Sequence, residues 1–104
     1  MLRETILSLP GRFQPKMAGN LQTTIQFNFT GTSEQFFVLS IAGGRCTVAE
    51  GLIDNPAATV SMSAADFIGL NKGEILAPEL FWGGQIEIEG DVDAVIGLAP
   101  VMGW

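Results

Sequence analysis

Ten consecutive residues, Leu21 to Thr30, alternate in character without a break. Leu21, Thr23, Ile25, Phe27 and Phe29 fall on one side, and Gln22, Thr24, Gln26, Asn28 and Thr30 on the other. A period of two does not fit a helix; it predicts a half-buried strand with one wet face, and a strand needs partners. The next residues supply them. Gly31-Thr32-Ser33 reads as a turn, and Gln35 to Ala42, with Phe36, Phe37, Val38, Leu39 and Ile41, is a more continuous apolar run, expected to be buried on both faces. Gly43-Gly44 marks a two-residue hairpin, because both central residues of the favoured turn need positive φ. The return strand, Arg45 to Glu50, points Cys46 and Val48 inward and reads as an edge guarded by charged ends.

Helical segments flank this meander. Leu2, Ile6 and Leu9 form one face of a short helix that Pro10-Gly11 is expected to end, and Pro15 opens another turn that Gly19-Asn20 stops. Beyond the turn-rich residues Gly51 to Pro56, Ala58 to Met62 reads as a strand with Val60 and Met62 inward. Ser63, with Asp66 three residues on, caps a helix carrying Phe67, Ile68 and Leu70. Asn71-Lys72-Gly73 ends it. Ala77-Pro78-Glu79 starts a further short helix holding Leu80, Phe81 and Trp82, which point in three directions, so one packed face does not bury them all. Gly83-Gly84 releases the chain into the alternating strand Gln85 to Glu89, with Ile86 and Ile88 inward. Gly90-Asp91 then caps a last helix with Val92, Val95, Ile96 and Ala99 on one side, which Pro100 is expected to break or kink. Residues 94 to 104 carry no charged side chain and end on Trp104, so they must cover core, cavity or a second subunit.

Hydrophobic residues make up 47% of the chain and charged residues 15%, where roughly 25% charged is usual. Three explanations of the apolar surplus stay open: an internal ligand cavity, an apolar interface between copies of the chain, or compositional drift. Eleven acids against five bases give a net charge of −6, which excludes nucleic acid as a partner, since phosphate binding needs clustered cations. The bases (Arg3, Arg12, Lys16, Arg45, Lys72) are scattered, so membrane contact is at most transient. With no His and one cysteine, Cys46, there is no intramolecular disulfide, no Cys-rich metal site and no His-dependent nucleophile. Cys46 reads as an inert packing residue, Ser63 and Asp66 as a cap, and Glu87 and Glu89 as solvated strand residues. No catalytic residue, metal ligand or cofactor is expected. The N-terminus lacks a signal-peptide layout and no apolar run reaches about twenty residues, so a single soluble, cytoplasmic domain over residues 1–104 is expected.

Taken in order, Phe13 to Leu21, Thr24 to Gly31, Phe37 to Ile41, the Gly43-Gly44 hairpin, Val48 to Gly51, Ala58 to Phe67, Gly73-Glu74, Pro78 to Phe81 and Gly84 to Asp91 resemble the sterol carrier protein 2 family of small lipid-binding domains. The resemblance implies an α+β fold, with a five-stranded, mostly antiparallel sheet, helices packed on one face, and an apolar tunnel between them. It implies non-enzymatic binding and intracellular transfer of a lipid: a fatty acyl chain, acyl-CoA, phospholipid, sterol or isoprenoid. Where relatives often carry Lys this chain has Gln85, Glu87 and Glu89, and Gly83 stands where a polar side chain is common. Ligand preference is expected to differ at Gly83 and Gln85.

On this reading the lining is assigned to Phe67, Leu70, Ile75, Leu80, Phe81, Trp82, Val95, Ile96, Leu98 and Met102, with residues 94 to 104 as a lid. The partner is a lipid or fatty acyl ligand. The alternative is an interaction module, a homodimer or an accessory subunit of a lipid-related enzyme complex such as one of quinone biosynthesis.

Overall fold

A computed structural model describes residues 2–31 and 34–104; Thr32 and Ser33 of the expected turn lie outside the described residues. Five strands form one mixed sheet in the order β3-β2-β1-β4-β5. They are β1 (Thr23–Thr30), β2 (Gln35–Ala42), β3 (Arg45–Glu50), β4 (Ala58–Ser63) and β5 (Glu87–Gly90). The β1–β2, β2–β3 and β4–β5 pairs are antiparallel, while β1 and β4 run parallel at the centre. A parallel pair cannot be closed by a hairpin. The chain instead crosses from the far edge after β3 back to β1.

Register places the apolar side chains on one face. Phe27 stands opposite Phe37 on β2 and Val60 on β4, and Val60 opposite Ile88 on β5. Six helical segments accompany this sheet: α1 (Leu2–Leu7), α2 (Leu9–Arg12), α3 (Pro15–Ala18), α4 (Ala64–Asn71), α5 (Ala77–Trp82) and α6 (Val92–Met102). Ile6 and Leu9 from the first two, Phe67 from α4, Leu80 from α5 and Leu98 and Met102 from α6 join Ile25, Phe27, Phe29, Phe37 and Leu39 in a single core. Phe67 is its aromatic hub, with ring centroids 4.8 Å from Phe29, 5.8 Å from Phe27 and 5.9 Å from Trp104.

Local chemistry explains the boundaries. Gly43 and Gly44 have φ of 58° and 73°, as a hairpin whose two central residues are both left-handed requires. The Ser63 hydroxyl accepts the Asp66 N–H at 3.1 Å and Asp91 Oδ1 accepts from Ala94 at 3.3 Å, so both polar residues at these helix starts act as caps.

Three expectations change. Pro10 and Gly11 do not end the first helix; Pro10 sits in the opening turn of α2, where the missing N–H costs nothing. Pro100 does not break the last helix, which runs on to Met102. The second face of β1 is not wet at Gln26, which is only 3% exposed. The chain between β3 and β4 crosses there, and the Gln26 amide donates to the Gly51 carbonyl at 3.1 Å and the Phe37 carbonyl at 3.2 Å while accepting from the Ile53 N–H at 3.1 Å. A buried polar group is tolerated when its donors and acceptor are matched in this way.

Candidate functional site

Between the sheet and its helices lies a cavity of about 340 Å³. Its floor is made by inward residues of neighbouring strands, Phe27 of β1, Val60 and Met62 of β4, and Ile88 of β5, with Ile86 just before that strand. Phe67 and Leu70 of α4 close one side. Ala77, Pro78, Phe81 and Trp82 of α5 and Val95, Ile96, Leu98 and Ala99 of α6 close the others, and Trp104 completes the wall. The inner end is closed, since Phe27, Val60, Met62, Phe67 and Leu98 are all buried, while Ile86 and Ile88 are half-buried. The opposite side is open to solvent, and there Phe81, Trp82 and Ile96 are exposed by 38%, 83% and 56%.

No wall residue carries a charge, a hydroxyl or an amide. The indole N–H of Trp104 is turned out of the apolar space and donates to Asn71 Oδ1 at 3.0 Å. Such a wall supplies no general acid, base or nucleophile; it offers dispersion contacts and release from water to an apolar guest. Among the described residues no group of three or more His, Cys, Asp or Glu converges as a metal site does. Cys46 is half-buried on the edge strand β3 and does not line the cavity; burial pushes its thiol up to about 11.

Of the lining residues expected from sequence, Phe67, Leu70, Phe81, Trp82, Val95, Ile96 and Leu98 border the cavity, and Ile75, Leu80 and Met102 do not. The helical turn explains Leu80: of the three consecutive apolar residues on α5 it takes the core side, 2% exposed, and leaves Phe81 and Trp82 at the opening. Ile75 packs on α4, so close that a Cβ on Gly69 would meet its Cδ1 at 2.8 Å. Met102 is buried beyond Pro100, and its carbonyl accepts from Arg12 Nε at 2.8 Å. Sequence reasoning named none of the floor. Its signal was nevertheless present in the inward positions of the alternating strands. Gly83 and Gln85, the two places of departure, prove to be one feature: the Gln85 amide oxygen occupies the space a Cβ on Gly83 would need.

Residues 8–103 match the model of the SCP-2 sterol transfer family. The chain belongs to that family. The SCP-2 fold is equally plain in solved structures. Palmitated SCP2L2 from Aedes aegypti superposes with a TM-score of 0.79 at 22% identity, over 97% of this chain and 90% of that one. The sec-alkylsulfatase Pisa1 from a Pseudomonas species gives 0.78 at 17% identity, over 89% of this chain. This chain spans only 15% of the sulfatase's length. A ubiquinone synthesis protein, UbiJ-SCP2, gives 0.65 at 17% identity, over 97% of this chain and 81% of that one. No curated protein matches by sequence. No helix among the described residues is long and apolar enough to cross a membrane.

Proposed function

We propose that this SCP-2 family chain binds the hydrocarbon part of a lipid in the cavity and passes it on chemically unchanged. The observation that carries this reading is the uniformly apolar wall around a space that opens to solvent past exposed apolar side chains. Each methylene moved from water into such a space contributes about 0.8 kcal/mol. Ten buried methylenes therefore give about 8 kcal/mol before the cost of ordering the chain, enough for useful affinity without a polar contact. A fold neighbour described as palmitated supports the same reading. Selectivity follows from the volume and shape of the space.

Phe81→Asp tests it. Phe81 borders the cavity and is 38% exposed, so the carboxylate can reach water and the fold survives, while a charge stands in the path of the acyl chain. Titration with a fluorescent hexadecanoate analogue is expected to show uptake by the wild type and at least a tenfold loss in the variant. Equal uptake by both proteins refutes the assignment.

One observation favours a second reading. Leu76, Trp82 and Ile96 are exposed by 59%, 83% and 56%, which is the kind of apolar surface a partner chain covers, and one fold neighbour is a ubiquinone synthesis protein. On this reading the domain is an accessory subunit. Sedimentation at low micromolar concentration separates the two: a dimer that excludes lipid supports the second, a monomer that takes it up the first.

A further inference from the structure

A second, smaller pocket of about 240 Å³ lies against the first and shares Leu70, Ala77 and Trp104 with it. Its chemistry is different. Arg12 and Lys72 line it together with Asn71, and no Asp or Glu does. In a chain of net charge −6 that is an uncommon place, since the sequence around the open mouth, 77 to 93, holds Glu79, Glu87, Glu89, Asp91 and Asp93 and no base, although Glu74 lies in sequence between two residues that line the second pocket.

Arg12 is partly buried and held in position. Its Nε donates to the Met102 carbonyl at 2.8 Å and its Nη1 to the Asn71 carbonyl and Oδ1 at 3.0 and 3.1 Å. All three acceptors are neutral. Of the other bases, Arg3 pairs with Glu50 at 2.9 Å, whereas among the described residues Arg12 has no carboxylate partner and its Nη2 no hydrogen bond. Gly103 keeps that corner open: a Cβ there would come within 3.3 Å of Gln14 Nε2 and 3.9 Å of Arg12 Nη2. The indole of Trp104 is the partition, its ring against Phe67 on the apolar side and its N–H on Asn71 on the polar side.

Resting on the lipid-binding reading above, we propose that this pocket binds the anionic head group, carboxylate or phosphate, of the lipid whose chain fills the cavity, with Arg12 and Lys72 as its cationic partners. The guanidinium is fixed before the ligand arrives, so little side-chain entropy is lost on contact. Its free Nη2 supplies charge-assisted hydrogen bonds, worth about tenfold in affinity for a charged over a neutral acceptor. Lys72, at the exposed end of α4, adds attraction that salt screens.

Displacement of the fluorescent hexadecanoate analogue by hexadecanoate, hexadecyl phosphate and hexadecanol tests this on the full chain. The wild type is expected to bind at least one anion about tenfold or more tighter than the alcohol, and the tighter anion distinguishes carboxylate from phosphate. Lys72→Glu is expected to lower affinity for that anion about tenfold and leave hexadecanol unchanged, while Arg45→Glu on β3 alters neither. Arg12→Gln lowers it further, and if that variant fails to fold, the exposed Lys72 still decides the matter. Equal binding of anion and alcohol by the wild type, or a preference that survives Lys72→Glu, overturns the proposal while lipid binding stands. Failure of all three compounds to bind overturns both.

Discussion

Filling the cavity from inside separates its role in stability from its role in binding. Val95 lines the space from α6 and lies one helical turn from Ala99, which lines it too. Val95→Phe adds four carbon atoms to that wall. The cavity measures about 340 Å³, so the ring enters empty room and the usual overpacking penalty does not apply. At about 0.8 kcal/mol per buried carbon the ceiling is about 3 kcal/mol, and because one side of the space faces water, about half of that is expected. For a domain of this size a gain of 1–2 kcal/mol raises Tm by about 5–15 °C. The same ring takes the place of about four methylenes of an acyl chain, so hexadecanoate loses about 3 kcal/mol, a factor above a hundred, and shorter chains lose less. Thermal unfolding without lipid and titration with acids of eight to sixteen carbons read the two effects. A variant less stable than wild type by 1 kcal/mol or more refutes the premise that the space is free. A stabilised variant that still takes up hexadecanoate normally refutes the claim that this space is where the chain goes.

Two further expectations concern residues away from the cavity. Gln26→Leu removes the amide that joins β1 to the Gly51–Ile53 crossing; with those backbone groups left unmatched, urea unfolding is expected to show a loss of about 2–4 kcal/mol, with hexadecanoate uptake retained because the amide lies on the opposite face. A loss under 1 kcal/mol would argue against that role. Burial holds the Cys46 thiol at about 11, so at pH 8 a thiol reagent is expected to label the native protein more than about tenfold slower than a free cysteine of pKa about 8.5, the smaller thiolate fraction being partly offset by the greater nucleophilicity of a more basic thiolate. The unfolded chain loses this proton first. Stability is therefore expected to fall as pH rises from about 8.5 and to level off above about 11, a shallow decline because the thiol is only half-buried.

Four of the five strands are foreshadowed by alternation and β2 by its continuous apolar run, both of which are local properties. The Phe27 face of β1, the glycine pair of the hairpin and the inward Val60 and Met62 need no knowledge of what lies opposite. Order in the sheet is a different matter. Nothing near Ala58 announces that β4 will lie parallel to β1, because that depends on a crossing whose anchor, Gln26, reads locally as a solvent residue. The site divides along the same line. Residues such as Phe67 and Val95 are recognisable as apolar faces of helices, and seven of the ten expected lining residues border the cavity. Leu80 and Met102 carry the same signal and pack into solid core, since the direction in which a helix presents a side chain depends on its docking angle. Arg12 was visible only as a scattered base; that it pairs with no carboxylate among the described residues is a property of the fold alone.

The proline inside α6 bears on how a guest gets out. Pro100 has no N–H to give the carbonyl one turn earlier, which belongs to Ile96 on the rim. The helix that forms one wall is thus missing a rung at the height of the opening, whereas β1 and β4 beneath it are paired on both sides. Local opening takes the least protected element first. The stretch of α6 from Ile96 to Pro100 is expected to open more often than the sheet, while Val101 and Met102 stay held through their carbonyls by the Gln14 N–H and Arg12, giving a lipid an exit that leaves the floor standing. Amide hydrogens of α6 should accordingly exchange faster than those of β1 and β4, and a bound acyl chain should slow them most.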